Sequence, residues 1–221
     1  MCGRYPGVVS IERTAARFGA VIGMTSAERF ALWEANYNTA PTQRVAAVVL
    51  ANGRPELECM HWGWKAPWMK GVLVNARSET AATKRTFATA LRDRRCIIPA
   101  CGFYEWKTEG RIKVPFLFQV AGEEIAGLAG LWVDETDDTG THRRCLPLTT
   151  EANQLVAPIH DRMAVILRRE DEARWLDPST PLPQLLAACR PFPAEGMTAH
   201  QVSTAVNQVR NKGSDLIVAV A

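Results

Sequence analysis

Residues 95–120 read RCIIPACGFYEWKTEGRIKVPFLFQV. Two apolar runs rich in β-branched and aromatic residues flank Glu109-Gly110, a pair suited to a tight turn. Runs joined this closely pair antiparallel, because a parallel return needs a crossover of about a dozen residues or more. Further β-rich runs follow: IAGLAGLWVDE (125–135), RRCLPLTT (143–150) and RMAVIL (162–167), with Asp138-Thr139-Gly140 as another turn. Upstream, RVAAVVL (44–50) and PELECMHWGW (55–64) meet at Asn52-Gly53, a strong hairpin signal. Helices are expected around this sheet. They are SIERTAARFGA (10–20) capped by Ser10, TSAERFALWEA (25–35) capped by Thr25 or Ser26, and one long helix over 78–94 capped by Ser78. Two short ones, REDEARWL (169–176) and LPQLLAAC (182–189), precede an extended tail. The pattern predicts one α+β domain over residues 1–221, a curved antiparallel sheet or pseudo-barrel with peripheral helices.

The chain has 221 residues, 47% hydrophobic and 22% charged, enough to bury a sizeable core. Its net charge of +3 permits an anionic partner without demanding one. No apolar run approaches the roughly 20 residues of a membrane span, and the start lacks a basic-then-apolar leader, so a cytoplasmic monomer is expected. Six cysteines (2, 59, 96, 101, 145 and 189) form no CxxC pair, and the four histidines form no HxxxH. Five of the cysteines read as core thiols, and no metal or other cofactor is expected.

Cys2 stands apart. It follows Met1 directly, and removal of Met1 leaves a 1,2-aminothiol whose amine condenses with an aldehyde and whose thiol then closes a thiazolidine. Other polar stretches sit at the ends of apolar runs: Asn75, Arg77 and Ser78 in VLVNARSET, Glu105 in GFYEWK, and His160-Asp161-Arg162 in PIHDRMAVIL. Each has a plain structural reading. Asn75 can shape a turn, Glu105 can be an exposed strand residue, and Asp161-Arg162 can be a surface pair of little energetic worth. Taken together they supply an amide, a carboxyl that Tyr104 and Trp106 would desolvate, and an imidazole that titrates near neutrality.

Cations and aromatics also interleave. HWGWKAPWMKG (61–71) holds Trp62, Trp64 and Trp68 beside Lys65 and Lys70, a composition suited to stacking single-stranded bases. Trp62 and Trp64 are expected in the core and Trp68 at the surface. Lys84, Arg85, Arg92, Arg94 and Arg95 read as a solvated face.

Nearly end to end, the motifs MCGRY, YNTAP, WGW…APW, NARSET, CIIPACGFYEWK, IHDRM and VSTAVNQVRNKG resemble the SOS response-associated peptidase (SRAP) family. That resemblance implies a β-pseudobarrel and crosslinking to abasic sites in single-stranded DNA. It implies Cys2 as nucleophile, with Asn75, Glu105 and His160 completing the active site. Arg4, Asn38, Pro41, Trp68, Arg77, Thr149 and Arg162 would line the DNA path. The competing readings are an N-terminal-nucleophile amidotransferase or peptidase, and a non-catalytic single-strand binder. A glutaminase assay separates the first from a crosslinker, and a denaturing gel separates the last.

Overall fold

The computed structural model describes residues 3–65, 70–137 and 140–220. Cys2, Trp68 and the Asp138-Thr139 half of the expected turn lie outside the described residues.

The core of the fold is the Asn52-Gly53 hairpin. Both turn residues take positive φ (52° and 77°), as a two-residue hairpin loop requires, and join β2 (Arg44–Ala51) to β3 (Arg54–Trp62). The other strands are β1 (Val21–Ile22), β4 (Ala76–Arg77), β5 (Arg95–Ala100), β6 (Phe103–Glu109), β7 (Ile112–Val120), β8 (Ala126–Asp137), β9 (Gly140–Glu151), β10 (Arg162–Ala164) and β11 (Met197–Gln201). Strands β3, β2, β5, β8 and β9 run in that order, and β9 returns to β3, which closes a five-stranded barrel. Residues 45–49 are buried without alternation, so β2 is covered on both barrel faces. A second sheet, β11-β7-β6, stands against it as a twisted ribbon.

The sheets are mainly antiparallel, as the short turns predict. Three pairings are parallel: β1 with β3, β3 with β9, and β4 with β9. They arise from barrel closure and from short segments laid along its edges, which no local turn specifies.

Helices α1 (Ile11–Arg17) and α2 (Met24–Ala31) begin the chain. Ser10 caps α1 by accepting from the Arg13 N–H. Helix α2 starts earlier than expected, with Gly23 at its cap. The Ser26 hydroxyl instead donates to Glu58 at 2.5 Å and accepts from the Cys59 N–H at 2.8 Å. The expected long helix is two, α3 (Ser78–Ala81) and α4 (Arg85–Asp93). The break falls at Lys84, whose extended backbone (φ −74°, ψ 120°) makes it the cap of α4. Helices α5 (Arg169–Leu176) and α6 (Leu182–Ala188) match their sequence signals, whereas the tail folds partly into short 3₁₀ turns. Trp62 and Trp64 are buried, as are Cys59, Cys96, Cys145 and Cys189, with Cys101 half-buried. Arg95 corrects the solvated-face reading. It is 5% exposed, and its guanidinium donates to the Leu91 carbonyl of α4 and to the Trp175 and Asp177 carbonyls at the end of α5. A cation at two helix C-termini is well placed against both dipoles.

Candidate functional site

The far end of β9 runs beyond the barrel closure and gains a short strand on each edge. Thr149 pairs with Ala164 of β10 on one side and with Arg77 of β4 on the other. This register brings Arg77 and Arg162 to one end of the sheet. Arg77 is exposed. Arg162 is half-buried, forks onto Glu79 at 2.6 and 2.8 Å, and donates to the Thr149 carbonyl at 2.8 Å. That pairing holds the Glu79 carboxyl below its ordinary range. Arg162 therefore pairs with Glu79, and not with Asp161 as the surface-pair reading has it. Thr149 is buried and supports Arg162 from beneath. Asn75 sits half-buried directly before β4.

His160 precedes β10 at the end of a stiff loop. The Asn153 side-chain oxygen accepts from the Leu155 and Val156 N–H groups, and its amide donates to the Phe192 carbonyl. The His160 N–H in turn donates to the Val156 carbonyl. On the ring, Nδ1 lies 2.9 Å from the Arg162 backbone N–H, which donates to it. Nε2 lies 4.0 Å from Oε2 of Glu105. Burial lowers the His160 pKa, while Asp161, with its oxygen 3.0 Å from Nδ1, pulls the other way.

Glu105 comes from the second sheet, where it faces Phe116 across β6–β7. It is 2% exposed, and burial pushes its carboxyl up to about 7, with the charge of Asp161 adding to the rise. Strand alternation corrects one expectation about the walls. Tyr104 points to the opposite face, into a cluster with Leu117, Val202, Val206 and Leu216, and its hydroxyl donates to the Tyr37 carbonyl. Glu105 shares its face with Phe103, which stacks on Phe118.

Glu105, His160 and Arg4 line one cavity of about 600 Å³, together with Gly3, Trp106, Lys113 and Asn207. The Trp106 indole N–H donates to Asn207 at 2.6 Å, and its ring lies 5.8 Å from the Arg4 guanidinium. Arg4 donates to Asn38 at 2.8 Å and to the Val206 carbonyl at 2.9 Å. Asn38 is fully buried, and its amide is spent on the carbonyls of Val206, Gln208 and Asn211. It is a support for Arg4 and the tail rather than a surface group. Pro41 is half-buried at the start of the turn that leads into β2.

Lys113, Asn207 and Glu79 are site residues that sequence reasoning passes over. Asn207 lies inside VSTAVNQVRNKG, and Lys113 falls opposite Thr108 when the hairpin register is counted from Gly110. Glu79 follows the NARS segment but has no local cue to Arg162. Among the described residues no three His, Cys, Asp or Glu side chains converge as a metal site needs, and no helix is long and apolar enough to cross a membrane.

Known proteins share this architecture and sequence. An X-ray structure of a Bacteroides thetaiotaomicron protein superposes with a TM-score of 0.87 at 25% identity, covering 100% of both chains. The abasic site processing protein YoqW of Bacillus subtilis is 33% identical over 98% of this chain and 99% of its own length. The abasic site processing protein YedK of Escherichia coli is 33% identical over 82% of this chain and 83% of its own length. The model of the family described as SOS response associated peptidase (SRAP) matches residues 1–209, and the chain belongs to that family.

Proposed function

We propose that this chain processes abasic sites in DNA by binding the single strand and sealing the lesion to Cys2 as a thiazolidine. The observation that carries the reading is Glu105, a buried carboxyl at about 7 that stands 4.0 Å from His160 in a cavity also lined by Gly3. Cys2 directly precedes that lining residue in the chain. The names and similarity of YoqW and YedK support the same substrate class.

The chemistry follows from the groups. Once Met1 is removed, the Cys2 amine attacks the ring-opened aldehyde of the abasic sugar and gives a carbinolamine. Loss of water needs a proton on the departing hydroxyl, and a carboxyl at about 7 is half protonated at neutral pH. An atom about 2.8 Å from both Glu105 and His160 Nε2 fits their 4.0 Å separation, so either group can serve it. The Cys2 sulfur then adds to the imine carbon, its proton passes to the nitrogen, and the ring closes with one water released in total. Closure is intramolecular and favoured by high effective molarity. Asn75 orients the amine. Arg4, Arg77 and Arg162 meet phosphates, Asn38 and Thr149 hold two of those cations in place, and Pro41 and Trp68 border the path.

The test is to mix the protein with single-stranded DNA carrying one abasic site. The expected product survives heat and detergent on a gel, and its intact mass equals protein without Met1 plus DNA minus one water. Equal crosslinking by protein with a blocked, uncleaved N-terminus rules out the thiazolidine.

A further inference from the structure

A second cavity, of about 370 Å³, opens where the turn into β2 meets the tail at Lys212. Its charge is one-sided. Arg29, Arg44 and Lys212 line it, and among the described residues none of the three is ion-paired. Among the described residues Glu34 is the one carboxylate in its lining, and it is exposed. The polar groups favour an anion too. The Gln43 side-chain oxygen already accepts from Asn36 and from the Ala40 N–H, which leaves its amide to donate. His61, on the wall, is lowered in pKa by burial first and then by the guanidinium charges of Arg144, Arg44 and Arg29. Thr42, also in the lining, holds a φ of 76°, a strained conformation for a β-branched residue.

The two cavities are joined by two shared segments. Gly3 and Arg4 border the first and Gly7 the second, at most about 14 Å further along the chain. Asn207 borders the first and Lys212 the second, and the Lys212 carbonyl is held by the Tyr37 N–H at 3.1 Å. The Asn38 amide fixes the intervening tail.

We infer that the second cavity binds a phosphate of the captured strand a few nucleotides from the lesion, with Arg44 and Lys212 as the cations that meet it. The identity of the strand rests on the proposed function, whereas preference for a phosphate rests on the cavity alone. A forked guanidinium, an ammonium and an amide donor lining one cavity, neither cation ion-paired among the described residues, suit a phosphate's several oxygens.

The test uses the full chain with Arg44→Ala and Lys212→Ala together, both exposed positions. Abasic strands are extended by six nucleotides on the 5′ side only or the 3′ side only, and crosslinking is measured against strand concentration. The double variant should lose about tenfold in half-saturation for one polarity and nothing for the other. Loss on both sides, or on neither, overturns the inference. With an intact 15-mer, the slope of log affinity against log salt should become shallower by about 0.7, because one neutralised phosphate accounts for about 0.7 on a single strand. An unchanged slope overturns it as well. This second arm needs no crosslink, so a parent that crosslinks nothing refutes the proposed function and still leaves the cavity tested. A free deoxynucleoside monophosphate is the remaining probe. If it saturates the His61 ring resonances while strand polarity has no effect, the cavity takes nucleotides and the strand assignment falls.

Discussion

Glu58 and Glu105 are both glutamates buried within strands, 5% and 2% exposed, yet their surroundings are opposite. Glu58 is packed among donors. Ser26 and Thr25 donate to one oxygen at 2.5 and 3.3 Å, and Arg143 lies 3.5 Å from the other. The result ties α2 to the barrel wall. Glu105 faces a cavity, with the imidazole of His160 4.0 Å away, and burial holds its proton to about pH 7. A carboxyl kept for structure is matched by donors at contact distance. Under the proposed mechanism, a carboxyl kept for chemistry is buried against space that a substrate can enter, at some cost to stability.

The sharpest way to break this contrast is Glu105→Gln. It keeps the shape but cannot exchange a proton. Crosslink formation should slow by about 10²–10⁴-fold, the usual scale for general acid–base catalysis. Release should slow as well, because opening passes through the same imine. The measurement is a chase of preformed crosslink with excess abasic strand. Transfer as fast as in the parent removes Glu105 from the mechanism and leaves His160 as the acid.

The same substitution should act on stability with an unusual sign. Folding raises the Glu105 pKa from 4.5 to about 7, so between these values the folded protein holds a proton that the unfolded chain has released. The stabilisation is complete below about pH 4.5 and is lost as pH rises through about 7, a change of about 3 kcal/mol. Glu105→Gln should flatten that part of the profile and unfold at a higher temperature than the parent at pH 8. A variant with the parent's slope between pH 5 and 8 shows that the burial of Glu105 is not what sets it.

Glu58→Gln should do the reverse. It weakens hydrogen bonds to a charged acceptor and leaves Arg143 with Asp134 at 3.4 Å in place of two carboxylates. The expected loss is about 1–3 kcal/mol, or several degrees of Tm at about 2–4 °C per kcal/mol for a chain of this size. Crosslinking by the folded fraction should not change. If Glu58→Gln slows the reaction with no loss of Tm, the division between the two glutamates fails.

What was legible in the sequence follows the range of each interaction. The 44–62 hairpin and helices α5 and α6 are written in local turns and periodicity. The split of the 78–94 helix lies in the extended backbone of one residue, Lys84, which periodicity does not register. Barrel closure by β3 on β9 joins strands with no common turn, so only the fold reveals it. At the site, residue type marks Glu105 and His160 as able to carry protons. Their approach depends on how the ribbon sits against the end of β9. Asn38 looks like a surface amide in YNTAP, and its burial becomes visible only when the tail supplies three carbonyls to it.

A third glutamate marks the exposed end of the series and gives the smallest expected effect. Glu79 is 46% exposed and grips the Arg162 guanidinium with both oxygens. A strand phosphate that uses the same fork must displace that carboxylate, and an exposed pair is worth about 0–1 kcal/mol after screening. Glu79→Gln should therefore tighten binding of an intact single strand by only a few-fold at low salt, and the gain should fade as salt rises. Fluorescence anisotropy across a salt series reads both features. Weaker binding in Glu79→Gln gives the opposite assignment, in which Glu79 orients Arg162 for the phosphate instead of standing in its place.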